Sequence, residues 1–118
     1  MSSTDDLFDA ARRHAADFAH GEAPVAPRTR VAVVTCMDAR IDPTALLGLQ
    51  PGDAHVIRNA GAIVTDDVVR SLVISQRYLG TTNVVLIRHT ECGLIGLHDA
   101  DLRAGLHTAP AAPGRPGP

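Results

Sequence analysis

The chain has 118 residues, of which 45% are hydrophobic and 20% are charged, and this balance is typical of one globular domain. Only 3% of the residues are aromatic, and 11 basic residues against 13 acidic residues give a net charge of -2. This composition excludes a strongly basic or aromatic nucleic-acid-binding surface, so we expect no nucleic-acid partner.

The two cysteines and the N-terminal residues indicate the compartment. Two cysteines are too few for a disulfide scaffold. The acidic residues Asp5, Asp6 and Asp9 are unlike the basic start of a signal peptide, and no apolar run is long enough to span a membrane. We therefore expect a cytoplasmic protein with no membrane partner, in which the thiols of Cys36 and Cys92 serve metal binding or catalysis.

The N-terminal region predicts a helix followed by a linker. Residues 4–19 place apolar side chains at helical spacing, and Ser3 or Thr4 is the predicted N-cap. Residues 21–27, GEAPVAP, contain two prolines and a glycine, which is typical of a linker. The helix is therefore expected to lie away from the rest of the chain and to extend onto a partner chain.

The remaining sequence alternates predicted strands with predicted helices. The predicted elements are a strand at Val31–Thr35, a helix at Pro43–Leu49, a strand at His55–Arg58, a helix capped by Thr65 or Asp66 and stopped at Gly80, a strand at Val84–Arg88, and a short helix at 98–107. The β-branched content of the first and third strands predicts that both are buried. This order predicts an α/β fold with a parallel-sheet core and flanking helices.

Candidate functional residues follow the predicted strands. Cys36 follows the first strand, Arg58 and Asn59 end the second, and His89 and Cys92 follow the third. Ligands of open parallel sheets bind beyond the carboxyl ends of the strands, where Cys36, His89 and Cys92 can converge if their strands are neighbours. Two thiolates and one imidazole suit zinc, and three protein ligands leave one position open, as in catalytic zinc sites.

Simpler interpretations of these side chains stay open at this point. A single cysteine after a strand is often a small buried hydrophobic residue, and Cys36 and Cys92 are also compatible with a redox pair. A single histidine such as His89 is often only a hydrogen-bonded group. Asp38 and Arg40 are spaced to contact each other, either as a surface ion pair or as an oriented carboxylate beside a metal.

The motifs resemble a known family when they are taken together. The segments VAVVTCMDAR, GDAHVIRNAGAIVTDDVVRSLVISQRYLG and VVLIRHTECG, within residues 28–97, resemble the β-class carbonic anhydrases of the short actinobacterial type. The resemblance implies a zinc ion bound by two thiolates and one imidazole, those of Cys36, His89 and Cys92. Asp38 is implied either as a fourth ligand in a closed state or as the partner of Arg40. Asn59 and Gly61 resemble the site-lining turn of the family, although an ordinary tight turn that tolerates positive φ has the same residues.

The resemblance also implies an activity and an assembly. The implied activity is the reversible hydration of carbon dioxide to bicarbonate and a proton by zinc-bound hydroxide, with Asp38 and Arg40 as the catalytic pair. His55 is a proton-relay candidate by residue type only. The implied assembly is a homodimer or a larger homo-oligomer. The alternatives are hydrolysis of carbonyl sulfide or carbon disulfide, a non-catalytic zinc-binding protein of the same fold, and a thiol redox protein.

The predicted organisation is one domain with a tail. The domain is expected at 1–107, with an N-terminal arm helix at 1–20 and a zinc-site core at 28–97. Residues 108–118 contain four prolines and two glycines and are predicted to be disordered. Counterparts of the later helices and the last strand of the family are missing after about His107, so we expect a chain shortened at its C-terminus relative to that family.

Overall fold

A three-stranded parallel sheet forms the centre of the computed structural model, which describes residues 2–92 and 99–106. Strand β1 (Val31–Cys36) lies between β2 (Ala54–Asn59) and β3 (Asn83–Ile87), so the strand order is β2-β1-β3. Both neighbours pair with β1 in parallel. The predicted α/β fold with a parallel-sheet core is therefore confirmed.

The register of the sheet brings the carboxyl ends of the three strands together. Cys36 of β1 lies beside Asn59 of β2, and Thr35 of β1 lies beside Ile87 of β3. Because the strands are parallel, the loops that follow them leave the sheet at the same edge. The candidate ligands lie at this edge.

The central strand is buried on both faces, whereas the outer strands are not. Val33 and Val34 of β1 point to opposite faces of the sheet, and each is 1% exposed, so both faces are covered there. The neighbouring strands β2 and β3 cover the two edges of β1. Three apolar side chains of β3 are 42%, 38% and 48% exposed, those of Val84, Val85 and Leu86. The prediction that the third strand is buried is wrong for the described part of the chain, because β3 is an edge strand there.

Two capped helices connect the strands. Helix α2 (Pro43–Leu47) begins after Asp42, whose carboxylate accepts two backbone N–H groups of the first turn, and ends at Gly48 with φ 66°. The predicted end of this helix at residue 49 is two residues too late. Helix α3 (Asp66–Tyr78) begins after Thr65, whose hydroxyl accepts the N–H of the third helical residue, so Thr65 is the cap.

The N-terminal helix is well capped and exposed to solvent. Helix α1 (Ser3–Asp17) begins after Ser2, which forms a reciprocal capping box with Asp5. The predicted cap at residue 3 or 4 is wrong, because this reciprocal pair favours an earlier start. None of its residues is buried, and Leu7 and Phe8 are 69% and 57% exposed.

The described C-terminal region contains one short helix. Helix α4 (Asp99–Gly105) lies within the helix predicted at 98–107. The predicted end residues of this helix, 98 and 107, and the predicted tail at 108–118 lie outside the described residues. Of the helices described, none combines the length and the apolar composition that crossing a membrane requires.

Candidate metal centre

Three side chains with metal-binding atoms converge at the carboxyl edge of the sheet. Cys36 is the last residue of β1, and His89 and Cys92 follow β3. One ligand atom of each residue lies within 4.8 Å of the other two, and the two sulfur atoms are 3.8 Å apart. Both cysteines are free thiols. The predicted convergence of these three residues is present in the structure.

A hydrogen bond determines which nitrogen of His89 is available. Nδ1 lies 3.0 Å from the carbonyl oxygen of Thr90, so Nδ1 carries the hydrogen and donates it. In the neutral ring, Nε2 therefore presents a lone pair, and this buried atom has no hydrogen-bond partner. A buried polar atom without a partner is costly unless a ligand satisfies it, so this nitrogen fits a metal ion. The Cys36 side chain and the Thr90 carbonyl raise the pKa of His89, because both favour a positive charge there.

The environment of Cys36 favours a thiolate. The residue is 1% exposed, and burial alone raises the pKa of its thiol. The His89 side chain and the backbone N–H groups of Asp38 and Gly61 act in the opposite direction, so the pKa is lowered from 9.0 to about 7. Because the thiolate is the metal-binding form, this residue is prepared for a cation.

Asp38 and Arg40 form a close ion pair beside the three candidate ligands. Arg40 Nη2 donates to Asp38 Oδ2 at 2.6 Å, and Arg40 Nε donates to Oδ1 at 3.0 Å. These hydrogen bonds, with that of the Arg40 backbone N–H, hold the pKa of Asp38 far below its usual range. Oδ2 is also 3.7 Å from Nε2 of His89. Asp38 therefore lies next to the ligand group as an ionised carboxylate and is bound to Arg40.

The guanidinium of Arg40 also connects the two loops that carry the ligands. Its Nη2 donates to the carbonyl oxygen of Glu91 at 2.9 Å, in the loop between His89 and Cys92. Glu91 has φ 55°, a conformation that is unusual for a residue with a side chain. Arg40 thus holds the loop after β1 against the loop after β3.

Arg58 has a role that sequence reasoning did not assign. From β2 its Nε donates to the carbonyl oxygen of Cys36 at 2.8 Å, and its Nη2 donates to the carbonyls of Asp38 at 2.9 Å and Ile41 at 3.2 Å. One guanidinium therefore fixes the backbone of the loop after β1. The position of Arg58 at a strand end was the only sequence signal, because backbone carbonyl acceptors leave no trace in the sequence.

The turn after β2 is closed by the side chain of Asn59. Its Oδ1 accepts the N–H of Ile63 at 3.0 Å, and its Nδ2 donates to the carbonyl of Ile63 at 2.7 Å. Within the turn Gly61 has φ 88° and the buried Ala62 has φ 55°. The turn thus adopts the positive φ that its sequence was predicted to tolerate.

His55 lies away from the candidate ligands. It is the second residue of β2, at the opposite end of the strand from Asn59. Its Nδ1 is 2.6 Å from Oγ of Ser75 on α3, and this oxygen is 2.7 Å from Oγ1 of Thr81. His55 therefore belongs to a polar contact between the sheet and a helix, and nothing places it as a proton relay at the candidate metal centre.

The donor set and its position define a class of protein. Two thiolates and an imidazole form a soft set that is typical of zinc, and they lie where parallel α/β sheets bind their ligands. The family model described as carbonic anhydrase matches residues 31–109. The chain belongs to the carbonic anhydrase family. The resemblance predicted from its sequence motifs is therefore confirmed.

Individual relatives agree with this assignment. Beta-carbonic anhydrase 1 of Mycobacterium tuberculosis (strain ATCC 25618 / H37Rv) is 47% identical over 106 residues, which cover 90% of this chain and 64% of the relative. The crystal structure of carbonic anhydrase from Streptococcus mutans superposes with a TM-score of 0.79 at 45% identity. The superposition covers 90% of this chain and 64% of that chain. A carbon disulfide hydrolase of Acidianus sp. (strain A1-3) is 47% identical over 66 residues, 56% of this chain and 32% of that protein.

Proposed function

We propose that this chain contains the catalytic core of a zinc-dependent carbonate dehydratase, which interconverts carbon dioxide and water with bicarbonate and a proton. One observation carries the proposal. The buried, unpaired Nε2 of His89 lies beside the thiols of Cys36 and Cys92 in a chain of the carbonic anhydrase family. The chain spans 64% of the length of its mycobacterial relative, so the activity of the whole protein is inferred from this site.

Zinc is the proposed cofactor, and Cys36, His89 and Cys92 are its proposed ligands. The two sulfurs and the imidazole nitrogen match the ligand types that zinc prefers. When bound, zinc supplies a Lewis acid that makes hydroxide available as a nucleophile near neutral pH. Three ligands from the chain leave one coordination position for solvent and substrate.

Asp38 and Arg40 are the proposed catalytic pair. Because Arg40 keeps Asp38 ionised, the carboxylate can only accept hydrogen bonds. We assign Asp38 the role of accepting the hydrogen bond of the attacking water, which directs an oxygen lone pair towards the carbon of carbon dioxide. Arg40 donates hydrogen bonds to both carboxylate oxygens and so keeps Asp38 from becoming a fourth metal ligand. In the proposed closed state, Asp38 would leave Arg40 and take that fourth position.

The proposed assembly is a homodimer or a larger homo-oligomer in the cytoplasm. Helix α1 buries none of its residues, and β3 exposes most of its apolar side chains in the described chain. Contiguous apolar surface is typical of regions that another protein chain covers. We propose α1 as an arm that contacts the partner, attached to the zinc-site core at 28–97.

Hydrolysis of carbon disulfide is a second candidate activity. A carbon disulfide hydrolase matches 66 residues of this chain with the same identity as the mycobacterial carbonic anhydrase, 47%. The ligand group alone does not separate these substrates, because carbon disulfide and carbon dioxide are both linear molecules with an electrophilic carbon. The two activities are therefore measured side by side.

Stopped-flow measurement of carbon dioxide hydration by the zinc-loaded 118-residue chain tests the proposal. We expect a rate above that of the Cys92→Ser variant, which lacks one candidate ligand. Carbon disulfide is the comparison substrate in the same preparation. A folded, zinc-loaded chain that hydrates carbon dioxide no faster than Cys92→Ser contradicts the proposed activity, and turnover of carbon disulfide alone favours the second candidate.

A further inference from the structure

The sulfur of Cys36 has a hydrogen-bond donor on the side of β2. The backbone N–H of Gly61 donates to Cys36 Sγ at 3.3 Å. Asn59 is the register partner of Cys36, and its carbonyl accepts the N–H of Met37 at 2.8 Å. The turn that begins at Asn59 therefore starts beside a candidate ligand atom and returns an N–H group to it.

This turn has an unfavourable backbone that its own residues must stabilise. Ala62 has φ 55° although it carries a side chain, and left-handed backbone is unfavourable for such residues. Both polar atoms of the Asn59 side chain bond the backbone of Ile63, one as an acceptor and one as a donor. Gly61 lies between Asn59 and Ile63, so these two hydrogen bonds close the turn that contains its N–H.

We propose that Asn59 is a positioning residue for the metal centre, which holds the Gly61 N–H on the sulfur of Cys36 and so sets how strongly that thiolate donates to the metal. The inference rests on the metal centre proposed above. An N–H donor draws electron density from a thiolate, and a hydrogen bond to a charged acceptor is stronger than one between neutral groups. Partners of this kind typically change metal affinity 10- to 100-fold.

The chain offers a matched control for testing Asn59. Asn83 is its only other asparagine, lies at the first residue of β3, and donates to Oγ1 of Thr82 at 3.3 Å. We expect Asn59→Ala to lower zinc affinity about tenfold or more in competition with a chelator, because the Cys36 sulfur is then no longer held in the position that the metal ion requires. In cobalt(II)-substituted protein, we expect the thiolate-to-metal charge-transfer band to move to lower energy. Asn83→Ala should change neither quantity.

A second variant and a measurement on the unsubstituted chain complete the test. Asn59→Asp keeps the Oδ1 acceptor and loses the donor, so it should shift the band less than Asn59→Ala. In the unsubstituted zinc-loaded chain, the amide proton of Gly61 should exchange slowly with solvent because it donates to a buried sulfur.

The outcomes separate this inference from the proposed metal centre. A lower melting temperature of the Asn59 variants with an unmoved band shows a merely structural role and overturns the inference, as does rapid exchange of the Gly61 amide. In both cases the unsubstituted chain still binds zinc. If the unsubstituted chain binds neither zinc nor cobalt(II), the metal centre itself is wrong, and the inference is wrong with it.

Discussion

Individual hydrogen bonds decide what each side chain at the metal centre is free to do. His89 uses Nδ1 on the Thr90 carbonyl and leaves Nε2 without a partner. Asp38 shows the opposite condition, because Arg40 occupies both of its oxygens. The same edge of the sheet thus presents one nitrogen that lacks a partner and one carboxylate that is restrained from becoming a ligand.

Replacing Arg40 tests the restraint on Asp38. In Arg40→Ala the carboxylate loses the three hydrogen bonds from the Arg40 side chain and is free to occupy the open metal position. We expect zinc content to be unchanged and carbon dioxide hydration to fall by roughly 10- to 100-fold. Arg77→Ala, which removes an exposed arginine from the last turn of α3, is the control. Full activity of Arg40→Ala would remove the pair from the proposed mechanism.

The ionisation of Asp38 gives a pH prediction. Because its pKa in the folded chain is far below the ordinary 3.8, Asp38 stabilises the fold above that ordinary value, and the contribution is lost as the pH falls through the lowered pKa. A carboxyl NMR titration of the metal-free chain should therefore find Asp38 still ionised below pH 3.8. In Arg40→Ala the same titration should find a higher pKa for Asp38. An identical Asp38 titration in both proteins would disprove Arg40 as the cause of the lowered pKa.

Some residue-level features could be predicted from the sequence and others could not. Asp38 and Arg40 are two residues apart, so their contact follows from local spacing. The Gly61 N–H that contacts the Cys36 sulfur is a backbone group 25 residues away, and no side-chain type marks it. Contacts of this second kind depend on the register of β1 and β2, which the sequence pattern does not specify.

At the scale of elements, the loop after β1 is held by its neighbours on both sides. Arg58 of β2 bonds the Cys36 carbonyl at the end of β1 and two carbonyls of the loop, and Arg40 of the loop itself bonds the Glu91 carbonyl after β3. The loop begins directly after Cys36 and carries Asp38, so its backbone determines the geometry of the centre. Two arginines thus fix the elements that present the ligands.

Substitution of Arg58 tests this arrangement. Arg58→Ala leaves three carbonyl acceptors without their donor, so we expect weaker zinc binding by about tenfold or more and a lower melting temperature. Arg58→Lys should restore only part of the zinc affinity and part of the melting temperature, because an ammonium group lacks the planar fork of the guanidinium. Chelator competition and thermal unfolding measure the two effects, and equal zinc affinity in all three proteins would contradict the assignment.

The order and type of the elements could be predicted better than their burial. The alternation of β-branched segments with capped helical segments was sufficient for a parallel α/β sheet. The exposure of β3 was not predictable, because VVLI has the composition of a buried strand and only the order β2-β1-β3 places it at an edge. Likewise, the apolar spacing of α1 indicated a helix but not that the described chain leaves it uncovered.

Apolar side chains are exposed on several elements of the described chain. Exposed apolar side chains occur on α1, on β3 and on α3, where Val69 and Val73 are 47% and 48% exposed. These surfaces lie outside the metal centre, whose Cys36 is buried. The assembly and the metal centre are therefore expected to respond to different substitutions.

Sedimentation tests the role of the arm helix. Replacing Leu7 and Phe8 of α1 by serine removes exposed apolar side chains without touching any buried residue. We expect the double variant to sediment as a smaller species than the unsubstituted chain while it keeps its zinc. An unchanged sedimentation coefficient would exclude α1 as a contact between copies of the chain.

Zinc binding by the unsubstituted 118-residue chain is the most direct test of the central claim, with His89→Ala and His14→Ala as a matched pair. His14 lies on the exposed helix α1 and is not one of the three candidate ligands. We predict about one zinc ion per chain for the unsubstituted protein and for His14→Ala, and loss of zinc in His89→Ala because the unpaired Nε2 is removed. Zinc retained at full stoichiometry and affinity by His89→Ala would show that Cys36, His89 and Cys92 are not the metal centre.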